Sequence, residues 1–271
     1  MMRGEIQIGI IGGGAMAEAL IAGLVHSEVV PPAHISVSEH KAMRCDALAH
    51  RYGVQAQVGA ESFLPRIDVL VLAVKPAAAA AAMQETAQLL KEGALVLSIV
   101  AGLTIAEMEA AYPSHPVVRA MPNTPLAVGA GMSAYACGTH ANTAAASTAE
   151  RILGAAGRTV AVHENDLDAV TGLSGSGPAY AFLMMEALIE GGVAAGLRRE
   201  TAALLAAQTL LGAAQMALTA KSSPADLRAA VTSPAGTTAA GLRVLERAGV
   251  RSALIESVLA ATERSRELGR R

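Results

Sequence analysis

The stretch IQIGIIGGGAMAEALIAGL, from Ile6 to Leu24, constrains this chain more than any other. The apolar run Ile6 to Ile11 reads as a buried strand. It breaks at Gly12, Gly13 and Gly14, and a helical pattern resumes at once. Gly12, Gly14 and Ala17 occupy the fixed places of a G-x-G-x-x-A dinucleotide-binding fingerprint. Gly12 permits the sharp turn, Gly14 leaves room for a pyrophosphate, and Ala17 lets helix and strand pack closely. The open N–H groups of the helix start would face the phosphates. A glycine turn of purely steric origin is the competing reading. The strand before it and the helix after it favour the nucleotide.

The segments that follow repeat a strand–helix unit. HISVS, His34 to Ser38, is the second strand, and its end is where this fold meets the adenosine ribose. Ser38 can donate to a 2′-phosphate, and Lys41 or Arg44 can neutralise one, which points to NADPH. Glu39 cuts across this reading, since it either points outward or grips a ribose hydroxyl. Lys41 and Arg44 also read as an ordinary solvated helix face. DVLVLAV (Asp68 to Val74) and ALVLSIV (Ala94 to Val100) are fully apolar, as strands buried on both faces are. The first ends in Lys75-Pro76 and leads into an alanine helix. Thr104 and Glu107 form a capping-box pattern. Pro116 to Met121 is another strand, ending in the rigid loop Met121-Pro122-Asn123-Thr124-Pro125. Loops at carboxyl strand ends are where open α/β sheets bind ligands. Ala127 to Cys137 reads as a further strand region, Ala144 to Ala156 as a helix, and Arg158 to Val162 as an edge strand. The expected fold class is α/β plus all-α: a Rossmann-type, mostly parallel sheet with helices on both faces over 1–164, then an all-helical part over 165–271.

Past Glu164 the strands stop. GLSGSGPAY, Gly172 to Tyr180, is glycine- and serine-rich and delivers Pro178 to a helix start. Helices are expected at about 178–195, 199–219, 224–231, 236–248 and 251–267. Gly191 and Gly192 lie inside the first, which suggests a tight helix crossing, within the chain or with a second subunit. So many apolar helices appended to a finished sheet domain read as a dimerising unit. VTSPAGTTAAGL, Val231 to Leu242, gathers hydroxyls and open N–H groups at a helix start, a natural carboxylate receptor. An N-cap alone would explain one Ser or Thr, not this cluster.

Other chemistries lack their residues. The net charge is −2 with no Trp and two Phe, which argues against nucleic acid. Cys45 and Cys137 make neither a disulfide framework nor a metal cluster, and both read as small buried hydrophobes. No Cys/His spacing suits zinc. GLSGSGPAY is not a nucleophile elbow. The longest membrane-span candidate, Ala181 to Leu197, carries Glu186 and Glu190, so no membrane is expected. The N-terminus has no signal-peptide pattern, and the expected location is cytoplasmic. A bound nucleotide, hydroxyls and Lys75 as the one plausible nearby cation suit hydride transfer, in which the hard step belongs to the cofactor.

With these segments the chain resembles the pyrroline-5-carboxylate reductases. The resemblance spans essentially the whole chain and rests on GGGAMAEAL (Gly12 to Leu20), AVKP (Ala73 to Pro76), SIVAG (Ser98 to Gly102), RAMPNTP (Arg119 to Pro125), TGLSGSGPAY (Thr171 to Tyr180) and VTSPAGTTAAGL. The last two are specific together; the first alone is not. One departure is Ala235, where the family usually has a second glycine. The resemblance implies reduction of L-1-pyrroline-5-carboxylate to L-proline by hydride addition at the imine carbon, the last step of proline synthesis. It implies NADPH as cofactor, with NADH possible. It implies a homodimer, often assembled as a decamer of five dimers, with the site between one nucleotide domain and helices that include the partner's. Cofactor contacts fall on Gly12, Gly13, Gly14, Ala15 and Met16, on Ser38, Lys41 and Arg44, and on Ala73, Val74, Lys75, Pro76, Ala101, Asn123 and Thr124. Ser233, Gly236 and Thr237 hold the substrate carboxylate, Ser176 and Gly177 line the pocket, and Thr238 hydrogen-bonds the ring nitrogen. A ring nitrogen that arrives protonated accepts hydride well, so Thr238 orients and relays and no strong side-chain acid is needed. A nucleotide sensor without turnover, a β-hydroxyacid dehydrogenase and an enzyme acting on a related imine are the alternatives. The second relies on a helical-domain lysine, and Lys221 sits at a helix end instead.

Overall fold

The computed structural model describes residues 6–269. They form two compact units, one running through Ser176 and resuming at Ala260, the other Gly177–Leu259.

In the first unit eight strands form one sheet: β1 (Ile8–Ile11), β2 (Ile35–Ser38), β3 (Gln55–Gln57), β4 (Val69–Leu72), β5 (Leu95–Ser98), β6 (Val117–Met121), β7 (Gly131–Cys137) and β8 (Gly157–Ala161). Their order is β3-β2-β1-β4-β5-β6-β7-β8. Every pair is parallel except β6 with β7, which runs antiparallel with Ala120 opposite Tyr135. The period of two along each strand divides the core. Val69, Val71, Leu95 and Leu97 face α1 (Ala15–His26), α2 (Ala42–Tyr52) and, further along the sheet, α5 (Thr143–Gly154). Leu70, Leu72 and Val96 face α3 (Ala79–Ala87), α4 (Ile105–Ala111) and α6 (Leu167–Val170) on the other side. Both faces are covered, which is why these strands read as continuous apolar runs.

Several expectations need correction. β3 escaped the sequence reading because QAQ is a polar edge strand with no apolar signal. The region from Ala127 is not strand throughout: Thr124–Val128 is a 3₁₀ turn and β7 starts at Gly131. Cys137 is exposed, since it closes the β7 ladder at its rim, whereas Cys45 is buried. The capping box on α4 forms as expected, with Glu107 N–H donating to Thr104 Oγ1 at 3.2 Å and Thr104 N–H to Glu107 Oε2 at 2.8 Å. The glycine- and serine-rich GLSG is helical, which its composition does not indicate. Thr171–Gly175 continues α6 as a π turn, closed by Ser176 N–H donating to the Thr171 carbonyl at 2.8 Å.

The second unit is helical: α7 (Gly177–Ala194), α8 (Arg199–Thr219), α9 (Pro224–Ala230), α10 (Thr237–Arg247) and the first part of α11 (Val250–Gly269). Gly192 of α7 lets α8 approach; a Cβ there would lie 3.0 Å from that of Ala202. The tight crossing is thus within one chain, while the position beside it, Gly191, faces open space. α8 is apolar around its circumference, yet of its side chains only Ala202 and Ala206 are buried. By length and composition α8, and not Ala181 to Leu197, is the helix among the described residues that could cross a membrane. Leu183, Leu204, Leu205 and Leu211 are all more than half exposed in the single chain.

Candidate active site

β1 lies between β2 and β4, so the strand order reverses beside it. In such sheets the crevice at the carboxyl strand ends is the ligand site. The glycine turn sits there. Gly12 has φ +100°, and a Cβ would fall 2.7 Å from the Ala73 carbonyl at the end of β4. Its N–H donates to the Ser38 carbonyl at 2.8 Å, which ties the turn to β2. Above Gly14 there is open space: a Cβ would meet nothing within 4 Å. Gly14 is the N-cap of α1, with no side chain capping the helix. The N–H groups of the first turn, at Ala15 and Met16, are left for an anion. This cradle fits a dinucleotide pyrophosphate.

The parallel register puts the ends of β4, β5 and β6 on the same sheet edge as this turn. Ala73, Val74, Lys75 and Pro76 follow β4, Ala101 follows β5 by a few residues, and Asn123 and Thr124 follow β6. Lys75 is exposed and forms no ion pair among the described residues. Asn123 is already engaged. Its Nδ2 donates to the Ser174 carbonyl at 3.1 Å, and its Oδ1 accepts from the Met132 N–H at 2.9 Å. Its amide therefore joins the β6 loop to the π turn.

The ribose end holds two features the sequence reading missed. Glu39 does not point outward. Its Oε2 accepts from the Gly13 N–H at 2.9 Å and its Oε1 from the Lys41 N–H at 3.3 Å. Burial opposes ionisation there, but the N–H groups of Gly13, Lys41 and His40, with the His40 charge, outweigh it and hold the carboxyl below the ordinary glutamate range. Arg44 is also committed. Its Nε donates to the Gly13 carbonyl at 2.8 Å and its Nη2 to Glu18 at 2.5 Å. Glu18 further accepts from Arg51 and from the Tyr52 hydroxyl, each at 3.0 Å. The Arg44 hydrogen bond, against burial and helped by Tyr52 and Arg51, keeps the Glu18 carboxyl below its usual value. The signal was present: Arg44, Arg51 and Tyr52 fall at i, i+7 and i+8 on one face of α2. Of the three groups assigned to a 2′-phosphate, Ser38 and Lys41 keep their side chains free of hydrogen bonds among the described residues, and Arg44 does not.

A second group of candidates lies in the helical unit. Ser233 to Gly236 is a four-residue turn, closed by Gly236 N–H donating to the Ser233 carbonyl at 3.1 Å. Pro234 takes its second place and Ala235 its third, with φ +56°. A type II turn wants glycine there. A Cβ on Gly236 would run into the Ser233 hydroxyl. Gly236 then serves as N-cap of α10 without a side-chain cap bond. Thr237 and Thr238 open the helix with exposed hydroxyls that take no partner among the described residues. Ser176 closes the π turn of the first unit, and Gly177 begins α7.

Comparison with known proteins agrees along the chain. Residues 164–268 match the model for pyrroline-5-carboxylate reductase dimerisation, and residues 7–102 match that for NADP oxidoreductase, coenzyme F420-dependent. The pyrroline-5-carboxylate reductase of Synechocystis is 46% identical over 98% of this chain and 100% of its own. The solved pyrroline-5-carboxylate reductase of Coxiella burnetii superposes with a TM-score of 0.91 at 38% identity, over 97% of this chain and 98% of that one. The Plasmodium falciparum pyrroline carboxylate reductase, solved with NADP bound, gives 0.88 at 29% identity, over 99% and 100%. The chain belongs to the pyrroline-5-carboxylate reductase family.

Proposed function

We propose that this chain reduces L-1-pyrroline-5-carboxylate to L-proline with NADPH. The observation that carries the reading is the uncapped start of α10, where two threonine hydroxyls and the first-turn N–H groups stand open behind the Ser233–Gly236 turn. It is a receptor for a small carboxylate built without a cationic side chain. The glycine cradle and the ends of β4 and β5 hold the cofactor, which supplies hydride when bound. Gly12, Gly14 and the N–H groups of Ala15 and Met16 take the pyrophosphate, and Ala73, Val74, Lys75, Pro76, Ala101 and Thr124 border the remainder. Ser233, Gly236 and Thr237 fix the substrate carboxylate, with Ser176 and Gly177 lining the pocket. The Thr238 hydroxyl orients the protonated ring nitrogen, which hydride addition at the imine carbon turns into a neutral amine, and relays to that amine the further proton that solvent supplies. Fixed placement of two reactants lowers a barrier by several kcal/mol in well-ordered sites.

The assembly follows from surface chemistry. Leucines of α7 and α8 that are more than half exposed need cover, and the segment matches a dimerisation model. A homodimer covers them; its assembly into a decamer of five dimers rests on the family resemblance alone. The protein then works in the cytoplasm, with α8 at a protein interface and not in a membrane. The deciding experiment follows NADPH absorbance with and without the cyclic imine and identifies the product. Oxidation that depends on the imine and yields proline supports the reading. Cofactor binding without turnover favours a sensor.

A further inference from the structure

We propose that Glu39 sets the balance between the phosphorylated and unphosphorylated dinucleotides by keeping its own carboxylate in the backbone anion seat that a 2′-phosphate would take. The proposal rests on the reading of the glycine turn as the cofactor site. The seat is made of main-chain donors from two loops. The Gly13 N–H comes from the glycine turn and the Lys41 N–H from the start of α2, at 2.9 and 3.3 Å from the two Glu39 oxygens. A carboxylate and a phosphate make the same demand on such donors. The seat is filled closely, since a Cβ on Gly13 would lie 3.2 and 3.3 Å from Glu39 Cβ and Cγ. It also stands directly after Ser38, at the end of the strand that meets the ribose in this fold.

The surrounding cations do not offset this. Arg44 divides its guanidinium between the Gly13 carbonyl and Glu18, and Arg51 also pairs with Glu18. The exposed Lys41 ammonium and, when protonated, the exposed His40 imidazole remain close in sequence and without an ion pair among the described residues, too few to cancel both carboxylate and phosphate. A ribose 2′-hydroxyl can donate to the seated carboxylate. A 2′-phosphate instead meets a like charge, and must drive Glu39 out before Gly13 and Lys41 can donate to it. Glu39 thus taxes one cofactor and supports the other.

The test uses the full-length protein and two adenosine fragments, AMP and adenosine 2′,5′-bisphosphate, titrated by calorimetry without substrate. Glu39→Gln keeps the side-chain size and removes the charge. It is expected to tighten the bisphosphate about tenfold, ~1.4 kcal/mol, and to leave AMP unchanged or weaker. A ratio of the two affinities that does not move overturns the proposal. A wild-type chain that binds neither fragment overturns the cofactor-site reading instead. A second measurement needs no variant: amide NMR of the wild type with each fragment. Gly13 and Lys41 amide shifts that respond to the bisphosphate and not to AMP support the displacement of Glu39. Equal responses overturn it.

Discussion

Asn123 holds Ser174 across 51 residues of sequence, its Nδ2 donating to the Ser174 carbonyl at 3.1 Å. The same amide accepts from the Met132 N–H. One side chain therefore sets the β6 loop against the π turn that ends in Ser176. Removing it strands a part-buried carbonyl and a part-buried N–H. Asn123→Ala is expected to cost about 1–3 kcal/mol in urea unfolding. Asn123→Asp retains the acceptor for Met132 but sets a carboxylate against the Ser174 carbonyl. It should be no more stable than the alanine variant.

Ala235 carries a backbone strain that glycine would relieve. Its φ of +56° lies in the left-handed region, where a Cβ is unfavourable. Ala235→Gly is expected to raise stability by about 0.5–1 kcal/mol, net of glycine's greater freedom in the unfolded chain. Ala235→Val should lower it, because β-branching worsens the same clash. Thermal unfolding of the three proteins orders them Gly, Ala, Val. Another order would show that the turn does not hold this φ in solution.

Thr238 tests the assigned chemistry apart from the fold. Its hydroxyl is exposed and makes no hydrogen bond among the described residues, so deletion removes no internal contact. Thr238→Ala is expected to lower kcat about tenfold or more, as loss of one well-placed hydrogen bond does, with an unchanged melting temperature. Thr238→Ser should recover much of the rate. Normal kinetics in a folded alanine variant would reject the role.

Alkaline stability turns on Tyr112. Burial pushes its pKa up to about 12, although the hydrogen bond with Thr86 opposes the shift. The two hydroxyls are 2.6 Å apart, and Thr86 also donates to the Ala82 carbonyl. A tyrosine whose folded pKa lies above its unfolded one keeps its proton longer in the native state. Its contribution is complete below pH about 10 and is lost as pH rises through about 12. Tyr112→Phe should flatten the stability profile over that interval, at a cost of about 1 kcal/mol at neutral pH for the lost bond. Denaturant melts at several pH values compare the two slopes.

Much of this was legible in local pattern. The buried runs at Ile8, Val69 and Leu95 became adjacent parallel strands, and the helix at 199–219 runs from Arg199 to Thr219. The positive φ that the missing glycine at Ala235 brings into question is present. Each of these depends on neighbours within a few residues, through periodicity, turn chemistry or backbone sterics, and a sequence displays such neighbours directly.

What tertiary structure alone decided is how polar groups were spent. Arg44 looks free beside Lys41, yet it is bound to Gly13 and Glu18, 31 and 26 residues away. Glu39 turned onto Gly13, and Asn123 onto Ser174. β3 joined the edge of the sheet through backbone bonds to β2 that need no apolar side chain. An apolar residue announces burial by its own chemistry, which is why the core could be read in advance. A polar residue is satisfied by whichever partner the packed chain brings within three ångströms, and its own neighbours in sequence do not name that partner.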